Sequence, residues 1–262
     1  MIQQDLNTLE EKSIYIIREA KLKFKNIAAL WSMGKDSTTM LALTRKAFNG
    51  KIPFPVIHLD NGIDFPETYA FREELAKKWK FKVIVGKMDI KPDIIGSACC
   101  GKNKPDTLKK IMDEHGFDAL IVSIRRDEHG IRAKERYMSP RDKEFKWDYK
   151  NQPAELWDDY ASKLDTKGHI RVHPLLDWNE IDVWNYVKKE KIPVNPLYFS
   201  RNGFRYRSLG CTHCTIALKS DAKNVDDIIK ELETTRQEER SGRSMDKESE
   251  YAMQKLRSLG YM

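Results

Sequence analysis

Apolar residues return every three or four positions through Leu6, Leu9, Ile14, Ile17 and Ala20, so residues 5–24 predict a helix with one buried face. The run at 27–31, Ile-Ala-Ala-Leu-Trp, is apolar without alternation and predicts a buried strand. A helical period resumes over 35–48, with Met40, Leu41, Leu43 and Ala47 on one side. A strand at 55–60, a helix at 69–79, a strand at 82–85, a helix at 108–115 and a strand at 119–122 follow. This alternation predicts an α/β fold, doubly wound, with a mostly parallel sheet and helices on both faces. Ligands of such sheets bind beyond the carboxyl ends of the strands. The loops after the first, second and fourth strands are therefore expected to converge on one site.

Residues 130–170 break the rhythm. They are highly charged, contain Trp147 and Trp157 and lack a clean period, so they read as a long charged excursion over the substrate side. Residues 223–240 predict a charged helix, and the tail from Ser241 is polar. The expected division is an α/β domain over 1–220, which includes the excursion, and a helical C-terminal tail over 221–262.

At 262 residues the chain is long enough to bury a substantial core. No stretch approaches the ~20 apolar residues of a membrane span. The start, Met-Ile-Gln-Gln-Asp-Leu, has neither the basic opening nor the apolar run of a signal peptide. The expectation is a cytoplasmic protein with no membrane partner. The net charge of +7 suits an anionic substrate such as a nucleotide and allows nucleic acid nearby. A lysine-rich solvated surface is the simpler account of most of that charge.

Three polar clusters follow three predicted strands. The first, Ser32-Met33-Gly34-Lys35-Asp36-Ser37, lies between a strand and a helix. A turn there aims backbone N–H groups at a polyanion, together with the positive end of the helix dipole. Ser32 and Ser37 add hydroxyls and Lys35 a point charge; Asp36 caps the helix or helps to hold magnesium. The second cluster runs from Asp60 through Gly62 to Asp64, Glu67 and Thr68. A carboxylate closing a buried strand must be solvated or coordinate something. The third, Ser123-Ile124-Arg125-Arg126-Asp127-Glu128, puts two arginines at a strand end. They can clamp phosphate or sulfate, and structural ion pairing is the plainer alternative.

The four cysteines also come in pairs, Cys99-Cys100 and Cys211-x-x-Cys214. In a cytosolic chain such pairs point to a metal or a redox role rather than to structural disulfides.

The first loop resembles the pyrophosphate-binding loop of the N-type ATP pyrophosphatases, Ser-Gly-Gly-x-Asp-Ser. It departs at Met33, where glycine is usual and where a side chain resists positive φ, so a different local turn is expected. Within that superfamily the chain is similar to the phosphoadenylylsulfate reductase family, and most of all to the small catalytic subunits of bacterial sulfate adenylyltransferases. The matches include His58-x-Asp60-x-Gly62, Arg125-Arg126-Asp127-Glu128, Arg132-Ala133-Lys134-Glu135-Arg136, Ile170-Arg171-Val172-x-Pro174-Leu175, Pro196-Leu197-Tyr198 and Glu239-Arg240-x-Gly242-Arg243.

The resemblance implies an adenine nucleotide alpha-hydrolase-like fold and an adenylylation: an anionic acceptor attacks the α-phosphate of ATP and pyrophosphate leaves. It implies Ser32, Gly34, Lys35, Asp36 and Ser37 on the pyrophosphate, and Asp60 and Gly62 near the nucleotide or its Mg2+. Arg125, Arg126 and Arg132 would face the acceptor or the α-phosphate. The cysteine pattern resembles the 4Fe–4S site of assimilatory adenylylsulfate reductases, implying Cys99, Cys100, Cys211 and Cys214 as ligands, with zinc or thiols as alternatives. Those reductases use a further C-terminal cysteine as nucleophile, and this chain has none after Cys214.

Two acceptors then compete. One is sulfate, with a GTPase large subunit as partner, although the insertion such subunits carry is much shorter here between Tyr198 and Arg207. The other is a DNA phosphate, because the ATP pyrophosphatases of DNA phosphorothioation resemble the same family, carry iron–sulfur clusters and work with a cysteine desulfurase. A reductase, or a module that binds nucleotide without turnover, are the remaining alternatives. Self-association into a homo-oligomer is a further expectation the sequence allows.

Overall fold

A computed structural model describes residues 5–88, 97–128, 132, 134–147, 152, 155–156, 159–160, 168–235 and 239, with the side chains of 97–102, 156 and 159–160 excepted. Trp157 and the tail 241–262 lie outside the described residues.

The predicted alternation is present. Helix α1 is Leu6–Lys23, capped by the Asp5 carboxylate on the Asn7 N–H, and strand β1 is Ile27–Leu30. Helix α2 (Lys35–Ala47), strand β2 (Val56–Asp60), helix α3 (Pro66–Trp79) and strand β3 (Val83–Lys87) follow. Helix α4 spans Ser97–His115 and strand β4 Ala119–Ile121. Helix α4 begins well before the predicted 108 and carries Pro105 inside it, a residue that reads as a helix breaker.

The charged excursion is not all excursion. Its residues Met138–Arg141 form strand β5, fully buried, which closes one edge of the main sheet. Two short strands, β6 (Glu155–Leu156) and β7 (Asp159–Tyr160), pair with each other. Strand β8 (His169–Val172) and helix α5 (Glu180–Glu190) return the chain to the main sheet. A 3-10 turn (Pro196–Tyr198) and a ribbon of β9 (Phe204–Arg205) and β10 (Leu218–Lys219) precede helix α6 (Val225–Thr234).

The six-stranded sheet has the order β3-β2-β1-β4-β8-β5. All neighbours are parallel except β5, which runs antiparallel to β8. The order departs in opposite directions from β1 and β4, so a crevice opens between the loops that follow them. Helices α1, α2, α3 and α5 contribute to the larger core, and Leu108, Ile111 and Met112 of α4 pack on the other face with Ala28, Ile57 and Leu120. Ile228 of α6 is fully buried in the larger core, and α6 packs on α5. No helix among the described residues is long and apolar enough to cross a membrane.

Candidate nucleotide site

The crevice is a cavity of about 520 Å³ lined by the whole loop Ser32–Ser37, by Asn61 and Asp64 after β2, and by Ser123 and Ile124 after β4. Lys104, Glu128, Arg132, Arg171, Tyr198, Cys211 and Glu239 are among the other residues of its wall. The three predicted loops therefore meet at the carboxyl ends of β1, β2 and β4.

The loop is held from beneath. Trp31 is buried between Phe71 and Phe81, at ring distances of 6.0 and 5.4 Å, and its indole N–H donates to Thr38 Oγ1 at 3.1 Å. Met33 takes φ 56°, the left-handed region that the sequence reading denied it. That conformation costs an ordinary residue roughly 1–2 kcal/mol. Its side chain is buried in the core, and the apolar burial offsets the strain. Gly34 then caps α2 without a side chain; a Cβ there would crowd Ser32 Oγ and Tyr198 Oη, both at 3.3 Å. Ser37 Oγ accepts from the Ser32 N–H at 3.2 Å and donates to the Gly34 carbonyl at 3.1 Å, tying the turn together.

Among the described hydrogen bonds, none engages the N–H groups of Gly34, Asp36 or Ser37. They are the open donors that an anion meets at a helix N-terminus. The Lys35 N–H donates instead to the Tyr198 hydroxyl at 2.8 Å. The Tyr198 phenol is pushed up to about 12, by burial first and then by Asp36 and Glu239 against Lys35. Tyr198→Phe is expected to cost about 1–2 kcal/mol, because the buried Lys35 N–H loses its acceptor; denaturant melts of the two proteins check this.

The charges of the loop do not stand free. Lys35 is buried, and its ammonium is paired with Asp36 at 3.2 Å and with Glu239, with Glu180 at 3.9 Å. Burial pushes Lys35 down, but Asp36, Glu239 and Glu180 outweigh burial and Arg125 and hold it above its ordinary value. Arg125 is fully buried and pairs with Asp36, with Glu239 and with Asp127 at 2.9 Å. Asp36 therefore neither caps α2 nor stands open; it bridges both cations. Glu239 is pushed up by burial, and Lys35 and Arg125 together hold it well below the usual carboxylate range. This residue from the predicted C-terminal tail is a member of the site that loop-by-loop reasoning missed; its only sequence signal was its motif Glu239-Arg240-x-Gly242-Arg243.

Other named residues stand elsewhere. Arg126 turns to Asp177 and to the ring of Tyr137, 5.6 Å away, and is not part of the cavity wall. Arg132 pairs with Glu128 on the wall. Asp60 sits just behind it, accepting from the Gly62 N–H at 2.8 Å and from the Tyr69 hydroxyl at 2.9 Å, with Arg72 at 3.5 Å. Burial raises the Asp60 carboxyl, but those donors with His58 and Arg72 hold it below the usual range. Gly62, at φ 73°, makes the turn that lets its N–H reach back to Asp60.

Cys211 and Cys214 are buried, and the Cys214 N–H donates to the Cys211 carbonyl at 3.1 Å. Cys99 and Cys100 belong to the first turns of α4, with side chains outside the described residues. Among the described residues no three His, Cys, Asp or Glu side chains converge on a metal position.

The profile of the phosphoadenosine phosphosulfate reductase domain matches residues 26–217, most of the chain. The protein belongs to that family. Within the family, a protein of Aeromonas salmonicida named sulfate adenylyltransferase subunit 2 is 41% identical over 296 aligned residues, covering 98% of this chain and 95% of its own. Proteins of known structure share the fold: a phosphoadenylyl-sulfate reductase from Candida auris in a phosphate complex superposes with a TM-score of 0.55 at 16% identity, over 82% of this chain and 98% of that one. A Candida glabrata FMN adenylyltransferase in complex with ATP gives 0.58 at 18% identity, over 80% of this chain and 63% of that one. At such identities the likeness speaks for the architecture, a mostly parallel α/β sheet shared by both.

Proposed function

We propose that this protein is an ATP-using, adenylylating enzyme of sulfur metabolism that transfers AMP to sulfate and releases pyrophosphate. The observation that carries the reading is the crevice: an open N–H loop at the start of α2 facing a charged strand end, in a chain 41% identical over 98% of its length to a sulfate adenylyltransferase subunit 2.

In the proposed reaction a sulfate oxygen forms a bond to the α-phosphorus as the bridge to the β-phosphate breaks, and the electron pair leaves with pyrophosphate. Such a displacement needs alignment and charge neutralisation more than covalent help. The Gly34, Asp36 and Ser37 N–H groups with the Ser32 hydroxyl would hold the departing phosphates. Lys35 and Arg125 would supply positive charge at the loop. Sulfate is already an oxyanion, so no general base is required. Asp64 lines the cavity and would offer an oxygen ligand to a magnesium ion, which would neutralise phosphate charge, and Asp36 would join it on release from Lys35 or Arg125.

Cys99, Cys100, Cys211 and Cys214 would be the ligands of a 4Fe–4S cluster in this reading. Cys211 lines the crevice, and α4, which carries Cys99 and Cys100, lines it through Lys104, Pro105 and Leu108. Such a cluster would supply a fixed charge or an electron-transfer centre beside the site. The relative's name, with its subunit number, supports a further subunit as partner. The reading puts the protein in the cytoplasm, where ATP is made available.

A second reading takes a DNA phosphate as acceptor with a cysteine desulfurase as partner, and the paired cysteines favour it. Pyrophosphate release by anaerobically purified protein separates the two. Release that rises with sulfate and yields adenylylsulfate is the expected result. Release indifferent to sulfate but raised by DNA with a desulfurase would carry the second reading, and no release in either mixture contradicts both.

A further inference from the structure

Arg171 occupies the middle of β8, opposite Leu120 of β4 and Ser139 of β5. Its neighbours Ile170 and Val172 point into the larger core, so Arg171 lies on the opposite face, the one covered by α4. It is part of the cavity wall, yet its Nε is buried with no hydrogen-bond partner among the described residues. A guanidinium in the interior of a sheet is ordinarily matched by a carboxylate.

The surroundings do not match it. Glu135, the acidic neighbour, is engaged by Arg141 at 2.5 Å and by the Ser139 hydroxyl at 2.5 Å. The two buried histidines beside this cluster add no negative charge. His169 is lowered to about 3, by burial first and then by Arg171 and Arg141. His173 is lowered to about 4, by burial against the pull of Glu135. Among the described residues, two guanidinium groups thus face one carboxylate, leaving one positive charge over. Burial and Arg141 lower Arg171 itself to about 10, so it remains charged at neutral pH. Elsewhere on the wall Glu128 is taken by Arg132, while Lys104 adds a further cation.

We propose that Arg171 is the oxyanion-binding residue of the crevice: a tetrahedral dianion of the sulfate class occupies the space before it and supplies the missing negative charge. This rests on the adenylyl-transfer reading and deepens it, because it names the acceptor's subsite. The guanidinium, its Nε unpartnered among the described residues and its donors fixed in a planar fork, can grip two oxygens of such an anion at once. In that role Arg171 is distinct from Arg125 and Lys35, whose charges are met by carboxylates within the chain.

Calorimetric titration of inorganic sulfate, with and without saturating α,β-methylene ATP, tests the assignment on the parent chain, Arg171→Met and Arg171→Lys. Sulfate affinity is expected to fall at least tenfold in Arg171→Lys and further in Arg171→Met, with affinity for α,β-methylene ATP within twofold of the parent. Arg171→Met is also expected to be no less stable than the parent without sulfate, because it removes a buried unpaired charge; a merely structural arginine would give the reverse. Three results would overturn the proposal: sulfate binding unchanged in both variants, a loss confined to or shared equally by the nucleotide analogue, or no sulfate binding by a parent that does bind the analogue. A parent that fails to bind the analogue sinks the adenylyl-transfer reading itself, and sulfate binding that depends on Arg171 would stand apart from it.

Discussion

Lys35→Ala is expected to lower pyrophosphate release on the order of 10²–10³-fold, as for the loss of one preorganised donor that meets developing negative charge. It is also expected to destabilise the chain by about 3–5 kcal/mol, because Asp36 and Glu239 lose a buried partner. The two effects have different origins, and a combined variant separates them. Lys35→Met with Glu239→Gln removes both charges of one pair and is expected to recover much of the stability without recovering turnover. Steady-state release at saturating ATP, alongside denaturant melts, reads both. Activity returning together with stability in the combined variant would mean that Lys35 only anchors Glu239 and does not serve the phosphates.

The second large effect is on acid stability. His169 and His173 are buried, with values lowered to about 3 and about 4 by burial, so the folded chain refuses protons that the unfolded chain accepts near 6.5. Folded values below the unfolded ones give stability that is fully present above pH 6.5 and is lost as pH falls toward 4 and 3. Between pH 7 and pH 5 the pair is expected to cost about 3–4 kcal/mol, a large share of a typical domain's ~5–15 kcal/mol. The groups facing these rings are Arg171, Arg141 and Glu135, with the Arg136 carbonyl on His173 Nδ1 at 2.8 Å. His169→Asn with His173→Gln should flatten the dependence, measured by urea unfolding at the two pH values. Parallel losses in parent and variant would assign the acid sensitivity to other groups.

The halves of the fold that follow a simple period were legible in the sequence. Ile27–Leu30 and Val56–Asp60 are apolar because both faces of a parallel sheet are covered, and such runs have few other readings. Strand β8 was not legible, because His-Ile-Arg-Val places a histidine and an arginine in its four residues. Its pattern is that of a strand with one apolar face and one face that serves the crevice. Strand β5 hid for a related reason: a proline in Met-Ser-Pro-Arg argues against a strand, yet an edge tolerates it. The start of α4 was masked by Pro105.

The loop Ser32–Ser37 and its company at the ends of β2 and β4 could be foreseen from strand order alone. The partners of its charges could not. Asp36, Glu239 and Arg125 lie far apart in the chain, and only the folded arrangement shows that Glu239 meets both Lys35 of the loop and Arg125 after β4. Arg171 had a signal that local reasoning can use: a charge in the middle of a short buried strand must be paired or functional. Met33 shows the limit of a residue-type rule. Met33 takes positive φ with its side chain buried in the core.

The crevice is expected to cleave ATP between its α- and β-phosphates. The most direct test is to incubate the protein with ATP, magnesium and sulfate and to identify the phosphorus-containing products by 31P NMR. Pyrophosphate with an adenylylated acceptor is the predicted result, and ADP with inorganic phosphate as the primary products would contradict it.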